Sequence, residues 1–177
     1  DIDRFHPQRL SPDQRTQARA ELGLGPEHVA CTLAARLLRD KGVYEFLQAA
    51  GHLGSTYPQA RFILVGEPDP GNPKSLTQAD LDAAKAQGNV LFTGWREDMD
   101  RVWALSDVAV LPSYREGLPV SLQEALASGL PIVSTDVAGC REIAKNEAGD
   151  TAEEAGHCFL VEPRVWEPLA QALGELI

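Results

Sequence analysis

Residues 107–128 read DVAVLPSYREGLPVSLQEALAS, a run that predicts a strand followed by a helix. Its first five residues are mostly apolar and are typical of a buried strand, so we predict a strand at residues 107–111. Pro119 suits the first turn of a helix, where a backbone N–H group is not needed, and we predict that helix at residues 119–128. The free N–H groups of residues 117–121 would then face the carboxyl end of the strand, where they favour an anion.

Two carboxylates flank this helix start, because Glu116 precedes the helix, Glu124 lies within it, and seven residues separate them. Side chains of a helix lean toward its amino end, so Glu124 points back toward the loop that carries Glu116. A carboxylate near a phosphate is repelled unless it can accept hydrogen bonds from hydroxyl groups, and the diols of a sugar or a ribose offer them in pairs. A nucleoside-diphosphate sugar would satisfy both glutamates. Taken singly, each glutamate also fits a solvated surface residue.

The two glutamates, with Gly117-Leu118-Pro119 directly after the first, resemble the donor-site signature of retaining GT-B glycosyltransferases, in particular glycosyltransferase family 4. Residues 35–42, ARLLRDKG, resemble a second segment of that family, in which an arginine and a lysine hold the donor diphosphate. Residues 65–73 and 112–119 are similar to those of bacterial members that build exopolysaccharides and polyprenyl-linked glycans. The resemblance covers nearly the whole chain, from residue 3 to the last predicted helix.

The resemblance implies a role for each matching residue. Glu116 would bind hydroxyl groups of the donor sugar, and Glu124 would bind those of the ribose. Arg36 and Lys41 would hold the diphosphate, so the candidate catalytic residues are Glu116, Arg36 and Lys41. The candidate donor-binding residues are Gly117, Leu118, Pro119, Val120, Glu124, Gly66, Gly94 and Trp95.

Some of these residues have a second interpretation. Trp95 follows a predicted strand where the family seats the nucleobase, but it fits a packing residue equally well. Gly66 also fits the turn that a strand exit requires. Residues 139–142 resemble a family segment near the diphosphate and sugar, and they fit a helix cap as well. The chain departs from the family at Ala35, where other members often carry glycine, and phosphate affinity would fall if the backbone must approach closely there.

Apolar runs and helical periodicity alternate along the rest of the chain. The further predicted strands are residues 29–35, 61–66, 89–94, 131–134 and 158–161. The further predicted helices are residues 11–22, 41–56, 76–86, 99–105, 141–144 and 166–176. This alternation predicts an α/β fold with a Rossmann-like parallel sheet, helices on both faces and ligands at the carboxyl ends of the strands. Lys41 would open one of the helices, where a cation is unfavourable unless an anion lies nearby.

We expect residues 1–25 to form an entry arm and first helix, and residues 26–177 to form a donor-binding domain equivalent to the C-terminal half of a GT-B fold. The family's N-terminal, acceptor-binding domain is expected to be absent from this chain. Residues 68–73 are rich in proline and glycine and predict a loop at a strand end. Residues 150–156 predict an exposed acidic loop.

The composition narrows the classes of function. A net charge of −10 over 177 residues disfavours a surface that follows nucleic-acid phosphates, because such surfaces need clustered lysine and arginine. The chain lacks an apolar span of about 18 residues, a basic amphipathic helix and a signal-like amino end, so we expect no membrane contact from this domain. Its three cysteines and four histidines show no paired or ligand spacing, which disfavours disulfides and a metal site and predicts a cytoplasmic protein.

We therefore expect the donor domain of a retaining hexosyltransferase, which moves a sugar from a nucleotide donor, UDP rather than GDP, to an acceptor hydroxyl in surface-glycan synthesis. No metal ion or other cofactor is expected. The acceptor, polyprenyl-linked in the subgroup that the chain resembles, would bind to the other domain, so this chain alone should be inactive. The full protein could lie peripherally on the inner face of the membrane. The alternatives are a GT-B nucleotide-sugar epimerase, a non-catalytic nucleotide-binding module, and a glycosidase that uses the two glutamates as acid and base.

Overall fold

The computed structural model describes residues 1–144 and 158–177, and the strands in these ranges form one sheet. The strands are β1 (Val29–Ala34), β2 (Ala60–Val65), β3 (Val90–Gly94), β4 (Val108–Leu111), β5 (Ile132–Thr135) and β6 (Cys158–Val161). Their order in the sheet is β3-β2-β1-β4-β5-β6, and all neighbours run parallel. The helices are α1 (Pro12–Glu21), α2 (Val43–Leu53), α3 (Gln78–Lys85), α4 (Met99–Leu105), α5 (Val120–Ala127), α6 (Ala138–Ala144) and α7 (Trp166–Leu176).

The predicted α/β class and Rossmann-like parallel sheet are confirmed. Helices α2, α3 and α7 cover one face of the sheet, and α1, α4, α5 and α6 cover the other. Alternate residues of β4 join opposite clusters, because Val108 and Val110 face α2 and α7 while Ala109 and Leu111 face α5 and α6. Burial on both faces explains why the central strands are nearly continuous apolar runs. Within the described part of the chain, every helix is too short or too polar to span a lipid bilayer.

The arm that precedes α1 is fastened to helix α4 by charged groups. Arg4 and Arg9 donate hydrogen bonds to the carboxylate of Asp100, at 3.1 and 2.6 Å. Burial alone would raise the pKa of Asp100, but the bonds from Arg9 and Arg4 hold that pKa below its ordinary value. Phe5, between the two arginines, inserts into the apolar cluster under α5 and α6. The arm therefore packs as part of the same body as the sheet.

The segment before α2 differs from the prediction. Arg39–Lys41 form a 3-10 turn and Gly42 adopts a φ of +71°, so the helix begins at Val43 and not at Lys41. A Cβ atom at residue 42 would collide with the carbonyl oxygen of Pro112, which directly follows β4. Glycine is required at this position by both its backbone angle and this close approach. Lys41 stands outside the helix, so the unfavourable helix-dipole contact expected for it does not arise.

The starts of helices α5 and α6 also differ from the prediction. Pro119 lies one residue before α5, with an extended ψ of 113°, and its carbonyl accepts the Gln123 N–H at 3.3 Å. Helix α6 begins at Ala138, three residues earlier than expected, so residues 139–142 are helical rather than a cap. The predicted acidic loop at residues 150–156 lies outside the described residues.

Gly42→Ala is expected to destabilise the chain more than Gly23→Ala. Both glycines have a positive φ, +71° and +72°, at which alanine costs about 1–2 kcal/mol. The added Cβ meets open space at Gly23 but meets the Pro112 carbonyl at Gly42. Overpacking of that kind adds about 1–3 kcal/mol. Urea denaturation of both variants measures the difference, and equal losses would contradict the close approach.

Candidate functional site

The strand order reverses between β1 and β4, which are direct neighbours in the sheet. The crossover that follows β1 leads to α2 on one face, and the one that follows β4 leads to α5 on the other. In open α/β sheets the two diverging crossovers leave a crevice at the carboxyl ends of the strands, where ligands bind. The candidate site residues of both crossovers lie at this crevice.

Lys41 and Glu116 meet across the crevice as an ion pair. The Nζ atom of Lys41 lies 2.6 Å from Oε1 of Glu116, and the side chains are 25% and 10% exposed. The crossover after β1 thus supplies the cation and the loop after β4 supplies the carboxylate. The backbone reinforces this contact, because the Tyr114 N–H donates to the Asp40 carbonyl at 2.9 Å. Two predicted catalytic residues are therefore in direct contact.

Helix α6 packs directly beneath the loop that carries Glu116. A Cβ atom at Gly139 would collide with the carbonyl oxygen of Gly117, so this loop and the first turn of α6 touch through their backbones. Burial raises the pKa of the Cys140 thiol, and the nearby Glu116 carboxylate raises it further. Residues 139–142 therefore pack against the loop that carries Glu116.

A cavity of about 180 Å³ at the carboxyl ends of β1 and β2 is lined by a second group of predicted residues. Its lining includes Arg36, Gly66, Trp95, Ser121 and Glu124. The indole of Trp95 is 68% exposed, so it is not a core packing residue. Most of the surface that lines the cavity is apolar, which suits the flat face of a ring.

A larger groove, of about 480 Å³, runs between α2 and α7 and is lined by other residues, among them His52 and Trp166.

Gly66 is required at the wall of this cavity by two constraints. Its φ is +130°, and an added Cβ would collide with the carbonyl oxygen of Ala35. Its N–H donates to the carbonyl of Gly94 at 2.8 Å, which ties the exits of β2 and β3 together next to Trp95. Gly66 therefore turns the chain at the exit of β2 and also lines the cavity.

The carboxylate of Glu124 is fixed by a tryptophan that the sequence analysis did not single out. The indole Nε1–H of Trp103, a buried residue of α4, donates to Oε2 of Glu124 at 3.2 Å. This bond holds Glu124 at the rim of the cavity, with Ser121 one turn earlier on the same face of α5. In the sequence Trp103 looks like an ordinary core residue. Its partner Glu124 lies 21 residues further along the chain, so no local spacing links the two.

Arg36 is more exposed than the other predicted charged residues of the site. Its side chain is 67% exposed, and its Nη1 atom lies 3.9 Å from Oδ2 of Asp69 in the loop after β2. An exposed ion pair at that distance contributes little, so the guanidinium is free to turn toward a stronger anion. Asp69 was predicted only as part of a loop, and nothing in the local sequence marks it as a partner of Arg36.

The start of helix α5 presents its backbone to the crevice. No side chain in the described ranges caps this helix end with a hydrogen bond. The first N–H groups of a helix have no acceptor within the helix and carry a partial positive charge. Leu118 and Val120 are exposed on either side of the buried Pro119, and Gly117 is exposed as well.

Among residues 1–144 and 158–177, no cluster of three His, Cys, Asp or Glu could hold a metal ion.

Comparison with known proteins identifies the class to which this fold and this crevice belong. The profile of the glycosyl transferases group 1 family matches residues 28–177. The chain therefore belongs to the glycosyl transferases group 1 family. The predicted family resemblance is confirmed.

Individual relatives of the chain are also named as glycosyltransferases. The chain is 31% identical over 150 residues, 83% of its length and 37% of the relative's, to the UDP-Gal:alpha-D-GlcNAc-diphosphoundecaprenol alpha-1,3-galactosyltransferase of Escherichia coli. It is 40% identical over 114 residues, 64% of its length and 28% of the relative's, to the N,N'-diacetylbacillosaminyl-diphospho-undecaprenol alpha-1,3-N-acetylgalactosaminyltransferase of Campylobacter jejuni. The chain spans between 28% and 38% of the length of the curated relatives it matches.

Solved structures show the same fold. Anabaena Alr3699/HepE in complex with UDP superposes with a TM-score of 0.82 at 22% identity, over 99% of this chain and 45% of that one. The C-terminal domain of a glycosyl transferase group 1 family protein (LpcC) from Francisella tularensis superposes with a TM-score of 0.75 at 24% identity, over 99% of this chain and 86% of that one. The second match corresponds to a single domain of that family, which agrees with the single sheet seen here.

Lys41→Met is expected to lower the free energy of unfolding by about 1–2 kcal/mol, because it leaves the largely buried Glu116 carboxylate without its cation. Adding Glu116→Gln should restore most of that loss, because the double variant no longer buries an unpaired charge. Urea denaturation of the two single variants and the double variant measures the coupling. Losses that simply add would show that the ion pair contributes nothing.

Proposed function

We propose that this chain is the nucleotide-sugar donor domain of a retaining glycosyltransferase. The observation that carries the proposal is the convergence of four predicted side chains, Arg36, Lys41, Glu116 and Glu124, at the crevice where the strand order reverses. A single ligand with hydroxyl groups at both ends and a diphosphate in the middle fits this order of groups. The family membership supports the same class of ligand.

The diphosphate would lie between Arg36 and Lys41 and the start of α5. Departure of the nucleotide builds negative charge on the β-phosphate as the bond to the anomeric carbon breaks. Once the donor is bound, two cations and the unpaired N–H groups of a helix start would face that charge before the bond breaks, which is how electrostatic preorganisation lowers a barrier. No metal ion is part of the proposal, because these groups balance the charge by themselves.

The two ends of the donor would be bound by different carboxylates. Glu124, held by Trp103 at the cavity rim, would accept hydrogen bonds from the ribose hydroxyl groups. The exposed indole of Trp95 and the exit of β3 at Gly94 would border the base in the same cavity. Glu116 would accept hydrogen bonds from the sugar, after Lys41 turns from its carboxylate to the diphosphate. The acceptor hydroxyl would attack the face from which the leaving group departs, which retains the anomeric configuration.

The relatives favour a UDP-sugar and a lipid-linked acceptor. One relative is named for UDP-Gal, two are named for diphosphoundecaprenol substrates, and HepE was solved with UDP and with UDP-glucose. For this chain we propose a UDP-sugar as donor and a polyprenyl-linked acceptor in surface-glycan synthesis. The acceptor would be bound by a separate domain, in a cytoplasmic protein that works at the inner face of the membrane.

The glycosidase alternative explains fewer of the contacts. A glycosidase would need the two carboxylates for proton transfer and nucleophilic attack, yet Glu116 is neutralised by Lys41 and Glu124 accepts a bond from Trp103. An epimerase of the same fold or a non-catalytic nucleotide-binding module would use the same donor crevice. Sugar transfer by the full-length protein separates the proposed transferase from both.

Calorimetric titration is expected to show saturable binding of UDP and weaker binding of GDP. Arg36→Ala and Lys41→Ala should each weaken UDP binding about tenfold or more, since a hydrogen bond to a charged group contributes about 1.5–3 kcal/mol. Arg61→Ala is the matched control, because this arginine bonds the carbonyls of Pro58 and Ala60 at the amino end of β2, away from the crevice. UDP affinity that is unchanged in the Arg36 and Lys41 variants would contradict the diphosphate assignment.

The isolated 177-residue chain is expected to bind the donor without transferring sugar, because nothing in it is assigned to the acceptor. A transfer assay with radiolabelled UDP-sugars and a polyprenyl-diphosphate-linked sugar tests this expectation. The full-length protein, assayed in parallel, controls for the choice of sugar. Transfer by the isolated chain would refute the proposed division of labour between domains.

A further inference from the structure

The loop between β4 and α5 is held at its middle by one tyrosine. Tyr114 lies two residues before Glu116, and its phenol donates a hydrogen bond to Oε1 of Glu45 at 2.7 Å. Its backbone N–H donates to the carbonyl of Asp40 at 2.9 Å. Asp40 precedes Lys41 in the chain, and Glu45 follows it. Tyr114 is therefore hydrogen-bonded to residues on both sides of the lysine that pairs with Glu116.

Glu45 is an unusual partner because it is a buried carboxylate. Its exposure is 8%, and its second oxygen, Oε2, has no hydrogen-bond partner among the described residues. A buried carboxylate is costly unless it is paired or hydrogen-bonded, and here the phenol of Tyr114 supplies the bond. Burial and the bond to Glu45 raise the pKa of Tyr114 to about 12, so the phenol keeps its proton and remains a donor at neutral pH.

The ring of Tyr114 is held from a third side. The guanidinium of Arg164 lies 5.0 Å from the ring centroid, a cation–π contact. Arg164, in the link between β6 and α7, has a φ of +68° and is the only non-glycine residue with a positive φ in the described ranges. That backbone angle is unfavourable for an arginine and persists only where surrounding contacts impose it. Tyr114 therefore joins three crossovers at the crevice.

We propose that Tyr114, held by Glu45, is a positioning residue that fixes the Glu116 carboxylate where it can bind the donor sugar; this inference rests on the proposed donor function. The phenol is occupied by a buried carboxylate, so Tyr114 acts through Glu116 and does not itself contact the donor. Displacement of a site residue by about 1 Å is enough to lose much of its contribution, which is why a rigid support matters. The base and ribose are bound elsewhere, by the cavity and Glu124, and Arg36 also holds the diphosphate, so the support acts chiefly on the sugar end.

The experiment compares binding of UDP with binding of UDP-glucose, UDP-galactose and their N-acetylated analogues in the same chain. Tyr114→Phe removes only the phenol oxygen, and it is expected to weaken binding of the UDP-sugar that the unmodified chain prefers about tenfold. Binding of UDP should change less than about twofold, because UDP makes no contact with Glu116 in this arrangement. Glu45→Leu should reproduce this result. Glu45→Gln keeps an acceptor for the phenol and should retain sugar binding.

A matched control is available in the same helix as Glu45. Tyr44 also bonds a carboxylate, Oδ2 of Asp80 at 2.9 Å, and also carries an arginine over its ring, with Arg39 at 4.6 Å. Its bond leads to α3 and away from the Glu116 loop. Tyr44→Phe should therefore leave the affinities for UDP and for the UDP-sugars in their original ratio.

A second measurement does not depend on any ligand. Amide hydrogen exchange of residues 114–118 is expected to be faster in Tyr114→Phe than in the unmodified chain, and unchanged in Tyr44→Phe. Lower stability of Tyr114→Phe with unchanged sugar affinity would make Tyr114 a structural residue only and would overturn the proposal. An unmodified chain that binds neither UDP nor any UDP-sugar would overturn the donor function itself, whereas normal binding that is insensitive to Tyr114→Phe would overturn only the positioning role.

Discussion

The site depends on the close approach between the turn that follows β1 and the chain that leaves β4. Gly42 lies against the Pro112 carbonyl so tightly that no side chain fits between them. This contact occurs where the strand order reverses, so it joins two crossovers that otherwise diverge to opposite faces of the sheet. The ion pair between Lys41 and Glu116, at 2.6 Å, is a consequence of that approach.

The four charged side chains predicted for the site each contact a partner before any donor arrives. Lys41 contacts Glu116, Arg36 lies near Asp69, and Glu124 accepts a bond from Trp103. These partners orient the side chains without burying an unpaired charge, which would cost several kcal/mol. In a chain with a net charge of −10, an anionic donor is not attracted by the overall field, so the cations must be gathered locally. The same local pairing makes a donor diphosphate a competitor for Lys41 and a donor sugar a competitor for Glu116.

The predicted fold agrees closely with the observed one because strands buried on both faces must be apolar along their whole length. Helices α4 and α7 and strand β6 have the predicted bounds, and the other predicted strands are shifted by one residue or so at their ends. Two errors involve glycines: Gly139 lies inside α6, which was predicted to begin at residue 141, and Gly42 ends a 3-10 turn that was predicted as part of α2. In both cases glycine is present because another backbone touches it, which local periodicity does not report.

Residue types and short spacings were enough to predict the alternation of strands and helices, the family signature around Glu116 and Glu124, and the second basic segment with Arg36 and Lys41. These features can be recognised along the chain because each is local. The partners of the site residues are visible only in the folded chain: Trp103 for Glu124, Asp69 for Arg36, and Glu45 with Arg164 for Tyr114. Those contacts join residues from separate crossovers, and their geometry is set by the strand order of the sheet, which no local spacing in the chain contains.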